Sequence, residues 1–415
     1  MNVKDIAKQA RRSAAELVIA PTERKNHALQ LMGEKLTRRS DEVLSANADD
    51  LRRAEADGLE QKLVQRLSFG ENKIASRVRS LEKIRALADP VGQPFAASRR
   101  PNGLDVQRVR VPLGVILMIY EARPHVTVNA GAFCLKSGNA AILRGGSEAR
   151  KCNEFLGELW RESLQEADLP ESAVQVVSGS HEEIGELLTL DDYVDLVIPR
   201  GGKGLIRSVA EKSRIPVIKH FEGVCHVYAD DGADVQKAMK VAIDSKCLMP
   251  EVCNAAETML VAEGLSDRVG DIVKTFGKHG VTVRGCERTR ELADGVEPAD
   301  EDDWRTEYLD MVISLRVVKD VAEAIEHINE YGSHHTDTIV TDSESRARKF
   351  LAEVDSGVVL VNASTMFCDG ESLGMGAEIG ISTDKLHARG PMGLEELTTY
   401  KFNIRGDGHV MGDLA

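Results

Sequence analysis

The sequence predicts an α/β fold with two open, mostly parallel sheets in one chain. Three observations predict it. Over the first ninety residues, apolar positions recur at three and four with charges between them, which is the helical period. From residue 115, strand-like runs alternate with helical patterns, the signature of βαβ units. A second series of the same kind starts near Val224.

Taken in order, the N-terminal MNVKDIAKQARRSAAELVIA is amphipathic, with charges spread through it and no apolar signal run. Gly58 is a stop signal within the helical region. RRPNGLDVQRVRVPLG (99–114) combines an Asn-Gly turn with alternating valines and reads as a hairpin or arm standing off the core. Strands follow at VILMIY (115–120), AAILRG (140–145), VQVVSG (174–179), DLVIPRG (195–201) and PVIKH (216–220), with helices at 124–137, 147–167, 181–189 and 202–213. The second series runs VCHVYADD, helix 233–246, ETMLVAE, helix 266–279, LDMVISLRVV, helix 319–330, DTIVT, helix 343–353 and VVLVNAS. The late LTTYKFNIRGDGH is a further strand that can pair with the early arm.

Composition narrows the function. The 415 residues suffice for two or three domains, and 42% hydrophobic with 29% charged residues reads as soluble and globular. With 4% aromatics, stacking platforms for single strands are not expected. A net charge of −14 disfavours nucleic acid and anionic membranes as partners. The longest apolar stretch, Leu113 to Tyr120, is far shorter than the ~20 residues that span a bilayer. Seven scattered cysteines without a CxxC argue against a disulfide framework and a zinc site. A reducing, cytoplasmic location is expected.

Four stretches could carry chemistry. AILRGGSEARK and VIPRGGKGLI are strand-to-helix turns, with Arg144, Gly145 and Gly146 before Ser147-Glu148 in one and Gly201-Gly202 in the other. Such turns hold phosphates at helix N-termini, or are tight turns that simply need glycine; neither matches G-x-G-x-x-G. YEARPHVTVNA places Arg123 and His125 after a strand end, where a ligand crevice opens in an open sheet; Arg123 is a phosphate or carboxylate fork, or a surface Arg packed on Pro124. STMFCDGESLG offers Ser364, Thr365, Asp369 and Glu371 to a zwitterionic ligand, or forms an ordinary turn. Finally, EVCNAAET sets Cys253 in a short turn after helix-breaking Pro250, where free backbone N–H groups lower a thiol pKa and can donate to an oxyanion. Cys134 and Cys247 fit the core better, and Cys368, in a loop, is the competitor.

VPLGVILMIYEARPHVTVNAGAFCLKSGNAAILRGGSEA, PVIKHFEGVCHVYAD, PEVCNAAET, GAEIGIST and HARGPMGLEELTTYK together resemble the aldehyde dehydrogenase superfamily, and within it the gamma-glutamyl phosphate reductases of proline biosynthesis. The resemblance runs from about residue 105 to the end. It implies an aldehyde dehydrogenase-like fold: a Rossmann-like cofactor domain (1–98, 116–222 and 386–398), an α/β catalytic domain (223–385) and a small β oligomerisation arm (99–115 and 399–415) that makes the protein at least a dimer. It implies Cys253 as the nucleophile and backbone N–H groups at Cys253-Asn254 as oxyanion donors. Arg144, Ser147 and Glu148 fall where the superfamily holds the adenosine ribose. Gly201 and Gly202 fall near the pyrophosphate, and Glu307 aligns with a glutamate on the nicotinamide ribose. NADPH is the implied cofactor, with Arg144 able to meet its 2′-phosphate.

The implied reaction is reduction of L-glutamyl 5-phosphate to glutamate 5-semialdehyde through a Cys253 thioester, with Arg123 or His125 steadying the phosphate and Ser364 and Thr365 in the substrate loop. Two departures from ordinary aldehyde dehydrogenases fit a reductase. His220, in HFEG, stands at the place of their glutamate base, and their oxyanion asparagine is replaced near Ala122. A carboxylate base beside the thioester would hydrolyse it before hydride arrives. The rival readings are a coenzyme A-acylating aldehyde dehydrogenase and a non-catalytic binding protein on the same fold, in contact with the upstream glutamate kinase.

Overall fold

A computed structural model of the chain describes residues 2–219 and 221–412. The chain divides into two units. One comprises Met1–Lys219, Met375–Gly380 and Met392–Ala415, the other His220–Gly374 and Ile381–Pro391.

The first unit opens with helices α1 (Val3–Leu17), α2 (Thr22–Arg38), α3 (Ser40–Ala56), α4 (Gln61–Leu67) and α5 (Glu71–Ala86). Asn2 caps α1 through Lys4 N–H, and Ala7, Ala10, Ala14 and Leu17 form its buried stripe. The helical layer keeps a buried ion pair, Lys25 with Asp89 at 2.5 Å. Then follow β1 (Pro94–Arg99), β2 (Asp105–Pro112), β3 (Val115–Tyr120), α6 (Pro124–Lys136), β4 (Ala140–Gly145), α7 (Arg150–Glu166), β5 (Val174–Val176), α8 (His181–Leu187), β6 (Leu196–Arg200) and α9 (Lys203–Lys212). The sheet order is β5-β4-β3-β6, all parallel. All six residues of central β3 are buried, as an apolar run in a doubly covered sheet requires.

The second unit contains β7 (Cys225–Ala229), α10 (Val235–Cys247), β8 (Ala256–Ala262), α11 (Val269–Lys278), β9 (Thr282–Gly285), α12 (Glu287–Leu292), β10 (Glu297–Pro298), β11 (Val312–Val318), α13 (Val321–Tyr331), β12 (Thr336–Val340), α14 (Glu344–Glu353) and β13 (Val358–Val361). Its sheet order is β10-β9-β11-β8-β7-β12-β13, again parallel throughout. Its core is aliphatic, with Val227, Met259, Val261, Ile313 and Leu315 from the strands meeting Val269, Ile272 and Phe276 of α11. The short β14 (Gly380–Ser382) and β15 (Gly390–Met392) form a two-stranded sheet.

The last strand, β16 (Thr398–Arg405), pairs antiparallel with β2, which pairs with β1, giving a three-stranded ribbon in the first unit. This is the pairing the sequence suggested for the late strand. The turn between β1 and β2 uses Asn102-Gly103, with Gly103 at φ 94°. Most of the ribbon is exposed, including Phe95, Tyr400, Phe402 and Ile404.

Two expectations need correction. Of the expected strand at 216–220, residues 216–219 contribute only one bridge, Val197 to Val217, since Pro216 has no N–H to give a ladder. His220 lies outside the described residues. Conversely, β9 and β10 were not expected, being four and two residues long.

Candidate active site

In the second unit, α10 ends at Cys247 and β8 begins at Ala256. Between them, Ala255 N–H donates to Val252 O at 3.0 Å, so Cys253 and Asn254 are the central residues of a tight turn. Three contacts fix that turn. The Cys225 thiol donates to Cys253 O at 3.3 Å. Burial, with the Asp337 charge next in weight, holds the Cys225 pKa well above the ordinary thiol range, so Cys225 stays a neutral donor. The Asn254 amide donates to the carbonyls of Met366 at 3.4 Å and Cys368 at 3.2 Å. Gly223 packs so close that a Cβ there would overlap Cys253 O and lie 2.7 Å from Cys253 Cα.

Gly223 also links a second candidate to the turn. Its N–H donates to Glu307 Oε1 at 2.8 Å. Glu257, at the start of β8, accepts from Leu309 N–H at 3.2 Å and pairs with Lys246 at 2.5 Å, both side chains buried. Burial is the main cause raising the Glu257 pKa, to about 7, against the pull of Lys246. Cys253, Asn254 and Glu307 are thus brought together around Gly223.

Among the seven cysteines, Cys134, Cys152, Cys225 and Cys368 are buried, while Cys253, Cys247 and Cys286 are partly exposed. Cys368, the competitor for nucleophile, is 1% exposed. Ser364 and Thr365 follow β13, and both are buried. The Ser364 hydroxyl caps Met366 N–H and meets Ser245 Oγ at 3.1 Å, so local structure takes it up. The Thr365 hydroxyl is buried with no partner among the described residues. Asp369 accepts from Glu371 N–H, Ser372 N–H and the Ser372 hydroxyl, which is the ordinary turn reading of that loop.

In the first unit, the candidates cluster beyond the C-terminal ends of β3, β4 and β6. Arg144, Gly145, Gly146 and Ser147 line a cavity of about 340 Å³ with Asn153, Gly179 and Ser180. Arg144 Nε is buried there without a partner. Glu148 is not in the lining: its carboxylate accepts from Ala122 N–H at 2.5 Å. Ala122 has φ 34°. Gly201 and Gly202 precede α9, and Glu121 Oε2 accepts from Gly202 N–H at 2.8 Å, so a carboxylate already meets this helix N-terminus. Arg123 precedes Pro124, the first residue of α6, and His125 follows it. His125 Nδ1 is buried without a partner, and burial, reinforced by nearby cations, pushes its pKa down to about 3.

The sequence reading missed Glu121, Gly223, Cys225 and the Lys246–Glu257 pair. Gly223 and Cys225 lie within the quoted PVIKHFEGVCHVYAD, but no local pattern marks them as neighbours of Cys253. No helix among the described residues is long and apolar enough to cross a membrane.

Comparison with known proteins agrees with this geometry. The sequence model of the aldehyde dehydrogenase family matches residues 1–282. The chain is 45% identical to gamma-glutamyl phosphate reductase of Thermotoga maritima over 99% of this chain and 100% of that one, with a TM-score of 0.97. The corresponding Saccharomyces cerevisiae protein is 29% identical over 100% and 99%, with a TM-score of 0.56. An acetylating aldehyde dehydrogenase of Geobacillus thermoglucosidasius shares the fold at 15% identity and a TM-score of 0.70, over 99% and 98%. A tight turn at Cys253-Asn254 between α10 and β8, glycine turns at the strand ends of a parallel sheet and these matches lead to one conclusion: the chain belongs to the aldehyde dehydrogenase family, and groups there with the gamma-glutamyl phosphate reductases.

Proposed function

We propose that the chain reduces L-glutamyl 5-phosphate to L-glutamate 5-semialdehyde with release of phosphate, as a step of L-proline biosynthesis. The observation that carries this reading is the 45% identity, over essentially both full chains, to a protein named gamma-glutamyl phosphate reductase. The acetylating relative is 15% identical, a likeness of fold that does not favour a coenzyme A reaction.

Cys253 is the nucleophile in this reading. Its thiolate attacks the acyl carbon, a C–S bond forms, and the C–O bond to phosphate breaks. The backbone N–H groups at Cys253-Asn254 serve the oxyanion that develops. The thioester persists in this reading because His220 stands in the sequence where ordinary aldehyde dehydrogenases carry their glutamate base. Cofactor-binding falls to Arg144 and Ser147 at the β4 cavity, to Gly201 and Gly202 before α9, and to Glu148 and Glu307. The orphaned Arg144 Nε suits a phosphate oxygen, which favours NADPH over NADH. Bound NADPH supplies the hydride that turns the thioester into a thiohemiacetal. Collapse of the C–S bond then frees the aldehyde and restores the Cys253 thiolate. Arg123 and His125 serve the phosphate, and the buried Thr365 hydroxyl, with Ser364 beside it, serves the amino-acid end. The exposed apolar ribbon of β1, β2 and β16 serves as an arm between copies of the chain.

The test is the reverse reaction with glutamate 5-semialdehyde and NADP⁺, followed by absorbance of the reduced cofactor. NADPH formation that requires inorganic phosphate is expected. Equal rates without phosphate would show a hydrolytic aldehyde dehydrogenase instead.

A further inference from the structure

A buried chain of hydrogen bonds ends at the β4 cavity. Tyr120, the last residue of β3, and Thr127, on α6, are both 0% exposed, and their hydroxyl oxygens lie 2.6 Å apart. The Thr127 hydroxyl also lies 2.7 Å from Asn153 Oδ1, in the first turn of α7, and Asn153 is 2% exposed. Further along α7, Trp160 Nε1 donates to Thr127 O at 3.1 Å, and its ring fills the space that a Cβ on Gly131 would need. The two helices are therefore locked together where the chain of hydroxyls crosses them.

Counting protons fixes the direction of the chain. Burial raises the Tyr120 pKa, so its hydroxyl stays protonated, and Thr127 is its one side-chain partner among the described residues. Tyr120 therefore donates to Thr127, and the Thr127 proton goes on to Asn153 Oδ1. With the carboxamide turned over, the two buried hydroxyls would hold two protons for one acceptor, and one proton would be stranded. Asn153 is thus held with its NH2 group turned away from Thr127. That nitrogen lies so close over Gly145 that a Cβ there would overlap it, and it donates to none of the described residues. Asn153 lines the cavity of about 340 Å³ with Gly145 and its neighbour Arg144, whose Nε is also buried without a partner. The one carboxylate in the lining, Glu183, accepts from Ser180 N–H at 2.7 Å. The wall beside Gly145 therefore offers two donors, one of them on a cation, and asks for an acceptor. A charged acceptor gains about twice as much from such donors as a neutral one, and a guanidinium suits phosphate oxygens.

We propose that Asn153 is a specificity-determining residue of this cavity: beside Arg144, its amide donates to a phosphate carried on the ribose of an adenine nucleotide, and Thr127 and Tyr120 are the positioning residues that aim it. The role rests on the cofactor reading given above. An amide that cannot turn over offers a donor only, so it favours a nucleotide with a ribose phosphate over one with a free hydroxyl. The arrangement also gives Gly145 a reason of its own, since any side chain there would displace the Asn153 amide.

Equilibrium binding tests this without turnover. Adenosine 2′,5′-bisphosphate and 5′-AMP differ only in the ribose phosphate. Both are titrated by calorimetry into the intact protein and into Asn153→Leu, Asn153→Asp, Thr127→Val and Thr127→Ser. The unmodified protein is expected to prefer the bisphosphate. Asn153→Leu should weaken bisphosphate binding about ten-fold, the usual weight of a hydrogen bond to a charged group, and leave 5′-AMP within about two-fold. Asn153→Asp keeps the bond from Thr127 and turns the donor into an anion, so it should lose more; it carries the same comparison if Asn153→Leu melts low. Thr127→Val lets the amide turn and should lose part of the preference, and Thr127→Ser, which restores the hydroxyl, should recover it. Equal losses for the two nucleotides in a variant that melts like the unmodified protein would make Asn153 a matter of pocket shape and overturn the proposal. An unchanged bisphosphate affinity in Asn153→Leu and Asn153→Asp would overturn it too. In the reverse assay, the KM for NADP⁺ should rise about ten-fold in Asn153→Leu while that for NAD⁺ stays within about two-fold. Phosphate-dependent turnover with both values unchanged would leave the reductase reading standing and remove this role. Loss of the bisphosphate preference in the variants, with no phosphate-dependent turnover in the unmodified protein, would do the reverse.

Discussion

Lys246 Nζ lies 2.5 Å from Glu257 Oε2, and the two side chains are 0% and 1% exposed. Lys246 is in the last turn of α10 and Glu257 is the second residue of β8, so the pair closes the segment that carries Cys253. The other Glu257 oxygen accepts from Leu309 N–H, two residues beyond Glu307. The pair therefore ties the Cys253 turn to the segment whose glutamate holds Gly223.

Removing one partner strands the other. Lys246→Met is expected to cost about 3–5 kcal/mol, the usual penalty for an uncompensated buried charge. Glu257 limits that cost by taking up a proton, which its raised pKa already favours. The double variant Lys246→Met/Glu257→Leu, with no buried charge left, should be more stable than Lys246→Met alone. Urea unfolding of the three proteins checks this. A double variant less stable than Lys246→Met would mean the pair contributes net stability beyond avoiding a stranded charge.

Gly223 acts at shorter range. A methyl group there cannot coexist with the Cys253 carbonyl in its present place, and backbone atoms yield less readily than a side-chain tip. Gly223→Ala should displace the 252–255 turn by a substantial fraction of an ångström. Misplacement on that scale costs on the order of 100-fold in rate. The expected outcome is a kcat/KM lowered by about that factor, an altered rate of Cys253 alkylation by iodoacetamide, and unchanged circular dichroism. Unaltered kcat/KM and alkylation would show that Gly223 does not set the turn.

What the sequence made legible follows from how local each signal is. β3 is a continuous apolar run and β4, β7 and β8 are mostly apolar ones, which is the mark that buried parallel strands leave. Cys253 stood out because Pro250 and the flanking elements isolate its turn. The edge strand β10 and its neighbour β9 were too short to show a period. The contacts that build the site were hidden for another reason: they join residues far apart in the chain. Glu121 and Gly202 are 81 residues apart, Gly223 and Glu307 are 84 apart. No periodicity encodes such a pair. A hydroxyl in a polar loop drew attention to Ser364, but its cap on Met366 N–H and its contact with Ser245, far back in the chain, were not legible.

His327 gives the stability a pH dependence. Its imidazole is 4% exposed, edge-on to the Trp304 ring and tilted against that of Tyr331, and Nδ1 accepts from Arg316 at 3.1 Å. Burial above all, then the neighbouring His226, Arg316 and Arg305, pushes its pKa down to about 2. An unfolded histidine titrates near 6.5. Below about pH 6.5 the unfolded chain therefore takes up a proton that the folded chain refuses. The stabilisation is fully present above that pH and is lost as pH falls toward 2, at up to about 1.4 kcal/mol per pH unit. Glu257 works in the opposite sense, since a raised carboxyl pKa favours the folded state as pH falls from about 7. The two are separated by comparing His327→Gln, whose amide can still accept from Arg316, with the unmodified protein at each pH. Between pH 7.5 and 5, the urea midpoint of the unmodified protein should fall more steeply than that of His327→Gln, and the two curves should run parallel above pH 7. Parallel curves across the whole range would mean that His327 takes up its proton in the folded protein as readily as in the unfolded chain.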